Sequence, residues 1–388
     1  MIISTRMLSV VCGLFLPFLT EAAIPECQVI EQQNIKTLPL AVMTSYVQTF
    51  IFEQSSVPAL MIGIISGNER AVISCGETVK NNGQRPRMNT VWPIGSVSKV
   101  FTTQMLAKMV NQGVVRLNTP IDSLLNGTGK QIHPITLLDL ATHSSGFPRQ
   151  LPTLPQDNDY QTNYPYDMPQ FISWYENYKP TYAPGSHYLY SNVAFGLLGQ
   201  LLAKEMHTNY GNLLQLLISK PLELVDTTVT LSPEQTKRKV ASYWLNGDLI
   251  KKDWEFRFEQ PSGGIYSTMA DLLKFTRYQL SKSPAALQDT ILAQASYVYQ
   301  SQFDNPLDFG KDAMALGWTV DFPAQGLPVQ LTKNGWVNGV TSHIQLTPSA
   351  EIGVISFTNK PYLNINFDLK KLAGMILAAR TKPITETN

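Results

Sequence analysis

The strand-forming stretches of this chain lie near its two ends, and that placement constrains the fold more than any other feature. Near the start, Ala59 to Ser66 and Arg70 to Val79 are β-branched runs, and Gly67-Asn68 between them is a tight-hairpin signal. Near the end, strand patterns recur over Leu316 to Phe322, Val329 to Thr332, Gly339 to Pro348 and Glu351 to Thr358, the last two reading as a hairpin. The middle, from about residue 115 to 290, is helical and loop-rich. Strands segregated from helices argue for an α+β fold rather than an alternating parallel sheet. The sheet would be antiparallel and assembled from both chain ends. An N-terminal helix over Leu38 to Gln54 and a C-terminal one over Phe367 to Ala379 would flank it. On this reading, about 36–90 and 300–388 form the sheet part and about 91–299 a mostly helical part. Functional groups belong at the seam, where clefts form.

The 388 residues suffice for one large domain or two. Residues 1–23 read as a signal peptide. Arg6 supplies the positive start, Met7 through Leu19 an apolar stretch too short for a membrane span, and Thr20, Ala22 and Ala23 a cleavage site. The mature chain, 24–388, would be exported and soluble, with no later stretch able to span a bilayer. Cys12 lacks the small preceding residue that a lipid-anchored signal needs. Cleavage would leave Cys27 and Cys75, which either pair or remain thiols.

A net charge of +1 with no basic tract argues against a nucleic-acid partner. His133, His143, His187, His207 and His343 have no metal-ligand spacing, so no metal is expected. His143 and His187 could line a cleft, but a lone histidine is more often structural. No glycine-rich phosphate loop and no Gly-x-Ser-x-Gly elbow occurs, and no cofactor is expected. The Asn126-Gly127-Thr128 sequon carries no weight. Oligomeric state is not fixed by any feature, and a monomer is the expectation.

Three short motifs carry the chemistry. Ser96-Val97-Ser98-Lys99 opens a helix whose apolar ridge is Val97, Phe101, Met105 and Met109, with Gly113 as its stop. Three residues apart on a helix, the hydroxyl and the amine share one face. Serine is a weak nucleophile until a neighbour accepts its proton, and a desolvated lysine can do so. Tyr190-Ser191-Asn192 follows the turn-rich Ala183-Pro184-Gly185-Ser186 and precedes a helical pattern over Val193 to Met206. A tyrosine beside two ammonium groups can shuttle a proton, and the asparagine can bond both the lysine and a substrate amide. Lys333-Asn334-Gly335 lies on a strand pattern, where Gly permits close backbone approach and Lys offers charge to a carboxylate or oxyanion. Each has a bland reading too: a chance Ser-x-x-Lys, a helix start satisfying its own backbone, and a solvated edge lysine.

Together the three motifs form a specific set. The chain resembles the serine β-lactamase and penicillin-binding-protein superfamily, in its class C branch, from about residue 40 to the C-terminus. Gly95-Ser96-Val97-Ser98-Lys99-Val100-Phe101-Thr102 is similar to the class C nucleophile segment. Leu137 through Gly146 resembles the family's helix leading to the cleft rim, and Pro261-Ser262-Gly263-Gly264-Ile265-Tyr266-Ser267-Thr268 a string of its peptidase and esterase members. Gly76-Glu77-Thr78 through Arg85-Pro86 looks like the D-alanyl-D-alanine carboxypeptidase/endopeptidases of the AmpH type.

The resemblance implies a β-lactamase/transpeptidase-like fold and a periplasmic serine hydrolase. Its substrates would be D-alanyl-D-alanine peptides or the β-lactams that mimic them. Ser96 would be acylated, with Lys99 and Tyr190 sharing the base role. Asn192 and Gln150 would contact substrate, and Lys333, Asn334 and Asn364 would serve the carboxylate end. The N–H groups of Ser96 and Trp336 would form the oxyanion hole. Departures accompany it. Asn334 stands where relatives carry Thr or Ser, and bulky Trp336 and Val337 follow the motif. Gly263 replaces an aromatic, and Phe367 an arginine. These weaken an efficient cephalosporin hydrolase more than they weaken acyl-enzyme chemistry. A class C β-lactamase, an esterase or D-aminopeptidase, and a silent cell-wall binder remain as alternatives.

Overall fold

The computed structural model describes residues 26–125, 134–152, 165–180, 182–303, 305–307, 310–362 and 364–381. The signal-peptide segment and the Asn126 sequon lie outside them. In chain order the strands are β1 (Gln28–Gln33), β2 (Ala59–Ser66), β3 (Glu69–Gly76), β4 (Val91–Pro93), β5 (Tyr266–Thr268) and β6 (Val298–Tyr299). They continue with β7 (Ala313–Met314), β8 (Thr319–Asp321), β9 (Gln330–Val337), β10 (Val340–Thr347) and β11 (Ile352–Thr358). Nine form one sheet in the order β1-β3-β2-β11-β10-β9-β8-β7-β6, while β4 and β5 pair separately. Every pairing is antiparallel. The two chain ends meet at β2 and β11, where Ser66 lies opposite Ile352 and Leu60 opposite Thr358.

β2 is buried along its whole length because both sheet faces are covered. Leu60, Ile62 and Ile64 point to one face, with Ile73 and Val354. There they meet Met43, Val47 and Ile51 of the N-terminal helix and Leu369, Leu372 and Ile376 of the last helix, Ile365–Thr381. The N-terminal helix begins as Leu40–Tyr46 and widens through Val47–Phe52 before ending at Ser55. Met61 and Ile65 point the other way, with Ile355 and Phe357, into a cluster that continues through the helical part. At its centre lies the Ser98–Asn111 helix, whose Phe101 stacks on Phe275 with ring centroids 4.0 Å apart. Each such buried large side chain contributes about 1.5–3 kcal/mol.

Three strand expectations shift, and each shift has a local cause. β3 ends at Gly76, not Val79, because Gly76 turns at φ 72° and Glu77 N–H bonds the Pro58 carbonyl. The Leu316 to Phe322 run shortens to β8 because Gly317, at φ 74°, turns the chain between β7 and β8. β9 extends past Thr332 to Val337 because β10 pairs with it that far. Five of these strands had no signal: the short β4, β5, β6 and β7, and the longer Gln28–Gln33, which reads as a polar stub and is the edge strand β1. A polar edge strand lacks the apolar alternation that marks a covered one. Cys27, just before it, forms a disulfide with Cys75 of β3, which resolves the open alternatives for that pair.

Candidate active site

Residues 94–98 are held from three directions. Ile94 N–H donates to Ile265 O at 2.9 Å, Ile265 N–H donates to Ser98 Oγ at 3.1 Å, and Ser342 Oγ donates to Ile94 O at 2.7 Å. Gly95 has φ 49°, and a Cβ there would lie 2.9 Å from the Trp336 backbone N, so only glycine fits. The tight turn Gly95–Val97 then leads into the Ser98–Asn111 helix. Ser96 remains half-buried, while Lys99, one turn on, is fully buried.

Lys99 Nζ donates to Ser96 Oγ at 3.1 Å, to Asn192 Oδ1 at 2.8 Å and to the Ser262 carbonyl at 2.7 Å. Tyr190 approaches from the opposite side, its hydroxyl bonded to Ser96 Oγ at 2.5 Å. Tyr190 and Asn192 reach the same site because Ser191 between them is extended, at φ −133° and ψ 120°, which turns alternate side chains the same way. Ser191 itself faces inward. Its hydroxyl donates to Pro148 O and caps the Asn192–Glu205 helix by accepting from Ala194 N–H.

Lys333 is buried on β9, with Nζ 5.1 Å from the Tyr190 ring centroid. Lys99 Nζ and Arg149 Cζ lie 4.8 and 5.0 Å from the same ring. β8 pairs with β9 only over Gln330–Thr332, so Lys333 to Val337 extend beyond it toward the Gly95–Val97 turn. The approach is close: a Cβ on Gly335 would sit 2.2 Å from Ile94 O and 3.0 Å from Ser96 N. Asn334 and Trp336 alternate with buried Lys333 and Gly335 and are half-exposed. The Trp336 ring meets Trp254 edge-on at 5.7 Å.

Two of the residues expected to contact substrate lie differently from the group around Ser96. Gln150 directs its amide nitrogen, in the orientation that satisfies its neighbours, at Glu259, donating to the two carboxylate oxygens at 2.7 and 3.1 Å. Asn364 is exposed at the start of the last helix, where its carbonyl accepts from Phe367 N–H. Its neighbour Asn366 is the residue that reaches the sheet, bonding His343, which pairs with Asn334 across β9 and β10. Gly263, where the resemblance expects an aromatic, packs against one: a Cβ there would lie 3.2 Å from the Phe256 ring.

Sequence reasoning misses Glu259 altogether. It is buried and accepts from Tyr166 OH at 2.9 Å. Burial pushes its carboxyl up to about 7, with the Tyr166 hydrogen bond and the Lys99 and Arg149 charges opposing. A carboxylate buried by groups distant in the chain has no signature in a linear sequence.

Comparison with known proteins places the chain in a family. The Beta-lactamase family model matches residues 45–376. The chain belongs to the Beta-lactamase family. It is 32% identical over 332 residues to the D-alanyl-D-alanine-carboxypeptidase/endopeptidase AmpH of Escherichia coli, covering 78% of this chain and 80% of that one. A Beta-lactamase of Pseudomonas fluorescens is 25% identical over 354 residues, covering 85% and 95%. Among solved structures, a Beta-lactamase/D-alanine Carboxypeptidase from Yersinia pestis aligns with TM-score 0.75 and 26% identity over 87% of this chain and 99% of that one. A class C beta-lactamase aligns with TM-score 0.75 at 19% identity over 90% and 99%, a likeness of fold. The expected α+β, β-lactamase/transpeptidase-like fold is the one observed. Among the described residues no helix is long and apolar enough to cross a membrane.

Proposed function

We propose that this family member is a serine hydrolase that forms an acyl-enzyme on Ser96 and acts on D-alanyl-D-alanine-type peptides and on β-lactams. The observation that carries it is a single hydroxyl met by both an amine and a phenol, at 3.1 and 2.5 Å. Ser96 Oγ attacks the substrate carbonyl as its proton passes to the Lys99–Tyr190 pair. The cations around the Tyr190 ring stabilise negative charge developing on its oxygen. The tetrahedral oxyanion takes hydrogen bonds from Ser96 and Trp336 N–H. The C–N bond then breaks, the leaving nitrogen takes the proton back, and water hydrolyses the ester. Asn192, tied to Lys99, orients the substrate amide, and Lys333 with Asn334 holds its carboxylate.

The relative at 32% identity carries a peptidase name, and Asn334 and Trp336 alter the strand that a cephalosporin would line. Both favour the peptide as substrate. The working unit is residues 24–388 after loss of 1–23 in export to the periplasm, which the Cys27–Cys75 disulfide supports.

Intact-mass spectrometry of the protein mixed with a penicillin, followed over time, tests the reading. The wild type should gain the mass of the opened drug, and Ser96→Ala should not, with its thermal unfolding nearly unchanged. Folded wild type that neither gains mass nor releases D-alanine from a D-Ala-D-Ala peptide would sink the assignment.

A further inference from the structure

His143, read from the sequence as a cleft-lining or, more often, structural histidine, has surroundings that say more. It follows the Leu137–Ala141 helix, fully buried, at φ 59°, a left-handed conformation that costs a non-glycine residue about 1 kcal/mol or more. That backbone turn aims three different parts of His143 at one target. Its carbonyl accepts from Leu189 N–H at 2.8 Å. Its Nδ1 accepts from Ser191 N–H at 3.1 Å. Its ring stacks on the Tyr190 ring at 4.3 Å and 29°. The residues on either side of Tyr190, through the N–H groups of Leu189 and Ser191, and the face of its ring are therefore held by one residue. Phe195 and Tyr188 pack on the imidazole at 4.7 and 5.8 Å and fix its plane.

We propose that His143 is a positioning residue for Tyr190, clamping the phenol at the distance from Ser96 that proton transfer needs. The proposal rests on the role given to Tyr190 above. The Ser191 bond requires Nδ1 to be unprotonated, so the clamp works with the neutral ring, its proton on Nε2. The surroundings enforce that state. Burial holds the imidazole well below its usual range, and the facing charges add to the effect: Lys333 from β9, Lys99 from the Ser98–Asn111 helix, and Arg149 from the loop after His143. The other titratable groups against it are the phenols of Tyr188 and Tyr190. Two chemistries therefore meet at one side chain. An acceptor is needed for Ser191, and a flat, uncharged surface is needed for a phenol already ringed by cations.

The test compares His143→Ala and His143→Asn with wild type, using a fluorescent penicillin for the acylation rate and a D-Ala-D-Ala peptide for kcat and KM. Rates are normalised to titrated active sites and followed across pH. Asparagine tolerates positive φ and can accept from Ser191 N–H, but lacks most of the stacking ring. His143→Ala should lose about 30- to 100-fold in acylation rate and kcat, with KM changed less than about threefold. Its pH profile should also shift, because a released phenol stands differently among Lys99, Lys333 and Arg149. His143→Asn should recover about tenfold of that loss while keeping a shifted profile. A structural role alone would lower the melting temperature and the fraction of active sites, leaving normalised kcat and the profile unchanged. That result in His143→Ala overturns the proposal. Should the alanine variant not fold, a wild-type rate and profile in His143→Asn overturns it instead. Tyr190→Phe separates the two readings: if it acylates normally, the role of Tyr190 falls, and if it is crippled while the His143 variants are not, only the clamp falls.

Discussion

A single methyl group on Gly335 should separate the two halves of the active site. Built on the backbone as it stands, the new Cβ would lie 2.2 Å from Ile94 O, 2.5 Å from Ser342 Oγ and 3.0 Å from Ser96 N. Carbon–oxygen contacts settle at about 3.3 Å or more. Ser342 can rotate away at the cost of its 2.7 Å bond to Ile94 O, but Ile94 O is backbone. Ile94 is itself pinned by the 2.9 Å bond from its N–H to Ile265 O. Relief therefore demands that β9 or the nucleophile turn move by about 1 Å, on the scale at which misplacement costs about 100-fold in rate. Overpacking of this kind costs about 1–3 kcal/mol, so the protein should still fold, melting no more than about 10 °C lower. Gly335→Ala should thus acylate with a fluorescent penicillin about 100-fold more slowly per folded molecule, a barrier increase of about 2.7 kcal/mol. A variant with the wild-type melting temperature and an acylation rate within threefold of wild type would refute the claim that β9 and the Ser96 turn are packed without slack.

The opposite sign is expected at Gly374, inside the Ile365–Thr381 helix, where an added Cβ meets nothing within 4 Å. Gly374→Ala should raise stability by about 0.5–1 kcal/mol in urea unfolding and leave acylation alone, and a loss of stability would contradict the open space around it. Glu259 should tie stability to pH. Its carboxyl sits at about 7 in the folded chain against 4.5 ordinarily, so between those values the folded state holds a proton that the unfolded state releases, and stability falls as pH rises. Relative to Glu259→Gln, wild-type stability should drop by roughly 3 kcal/mol from pH 4.5 to 7. A constant difference between the two across that range would show that the carboxyl ionises normally.

The ease with which each part of this molecule is read from its sequence follows the distance over which its cause acts. Ser96 and Lys99 are legible because one helical turn alone sets their spacing. The β2–β3 and β10–β11 hairpins are legible because their apolar residues and turn signals lie within a few residues of one another. Tyr190 and Asn192 are legible only as a motif, since nothing nearby in the sequence says that Ser191 is extended and turned inward. β1 is hidden because an edge strand of Gln and Glu satisfies its pattern through one neighbour, β3. Glu259 and the role of His143 are hidden for a stronger reason. The first depends on which groups enclose a carboxylate, and the second on a positive φ that aims a carbonyl, a ring nitrogen and a ring face together.

The same distinction bears on how this scaffold changes substrate. The hydroxyl–amine pair is fixed within one helix turn, and the phenol is held by the helix cap at Ser191 and by His143, none of which lies on the sheet. Lys333, Asn334 and Trp336 have no such local support. Their placement depends on the register of β9 against β10, where a slip of one residue would turn Lys333 away from Tyr190 and bring Asn334 in its place. A strand held only by its neighbour is also where side chains can be exchanged without disturbing the nucleophile. The departures from the family pattern follow that division. Ser96, Lys99, Tyr190 and Asn192 are all present, while the altered residues are Asn334, Trp336 and Val337 on the strand, Gly263 against the Phe256 ring, and Phe367 on the last helix. On the proposed reading, activation of the hydroxyl and choice of substrate are therefore built into different parts of the fold, the first by local backbone geometry and the second by strand register, with the Trp336 N–H as the point where they join.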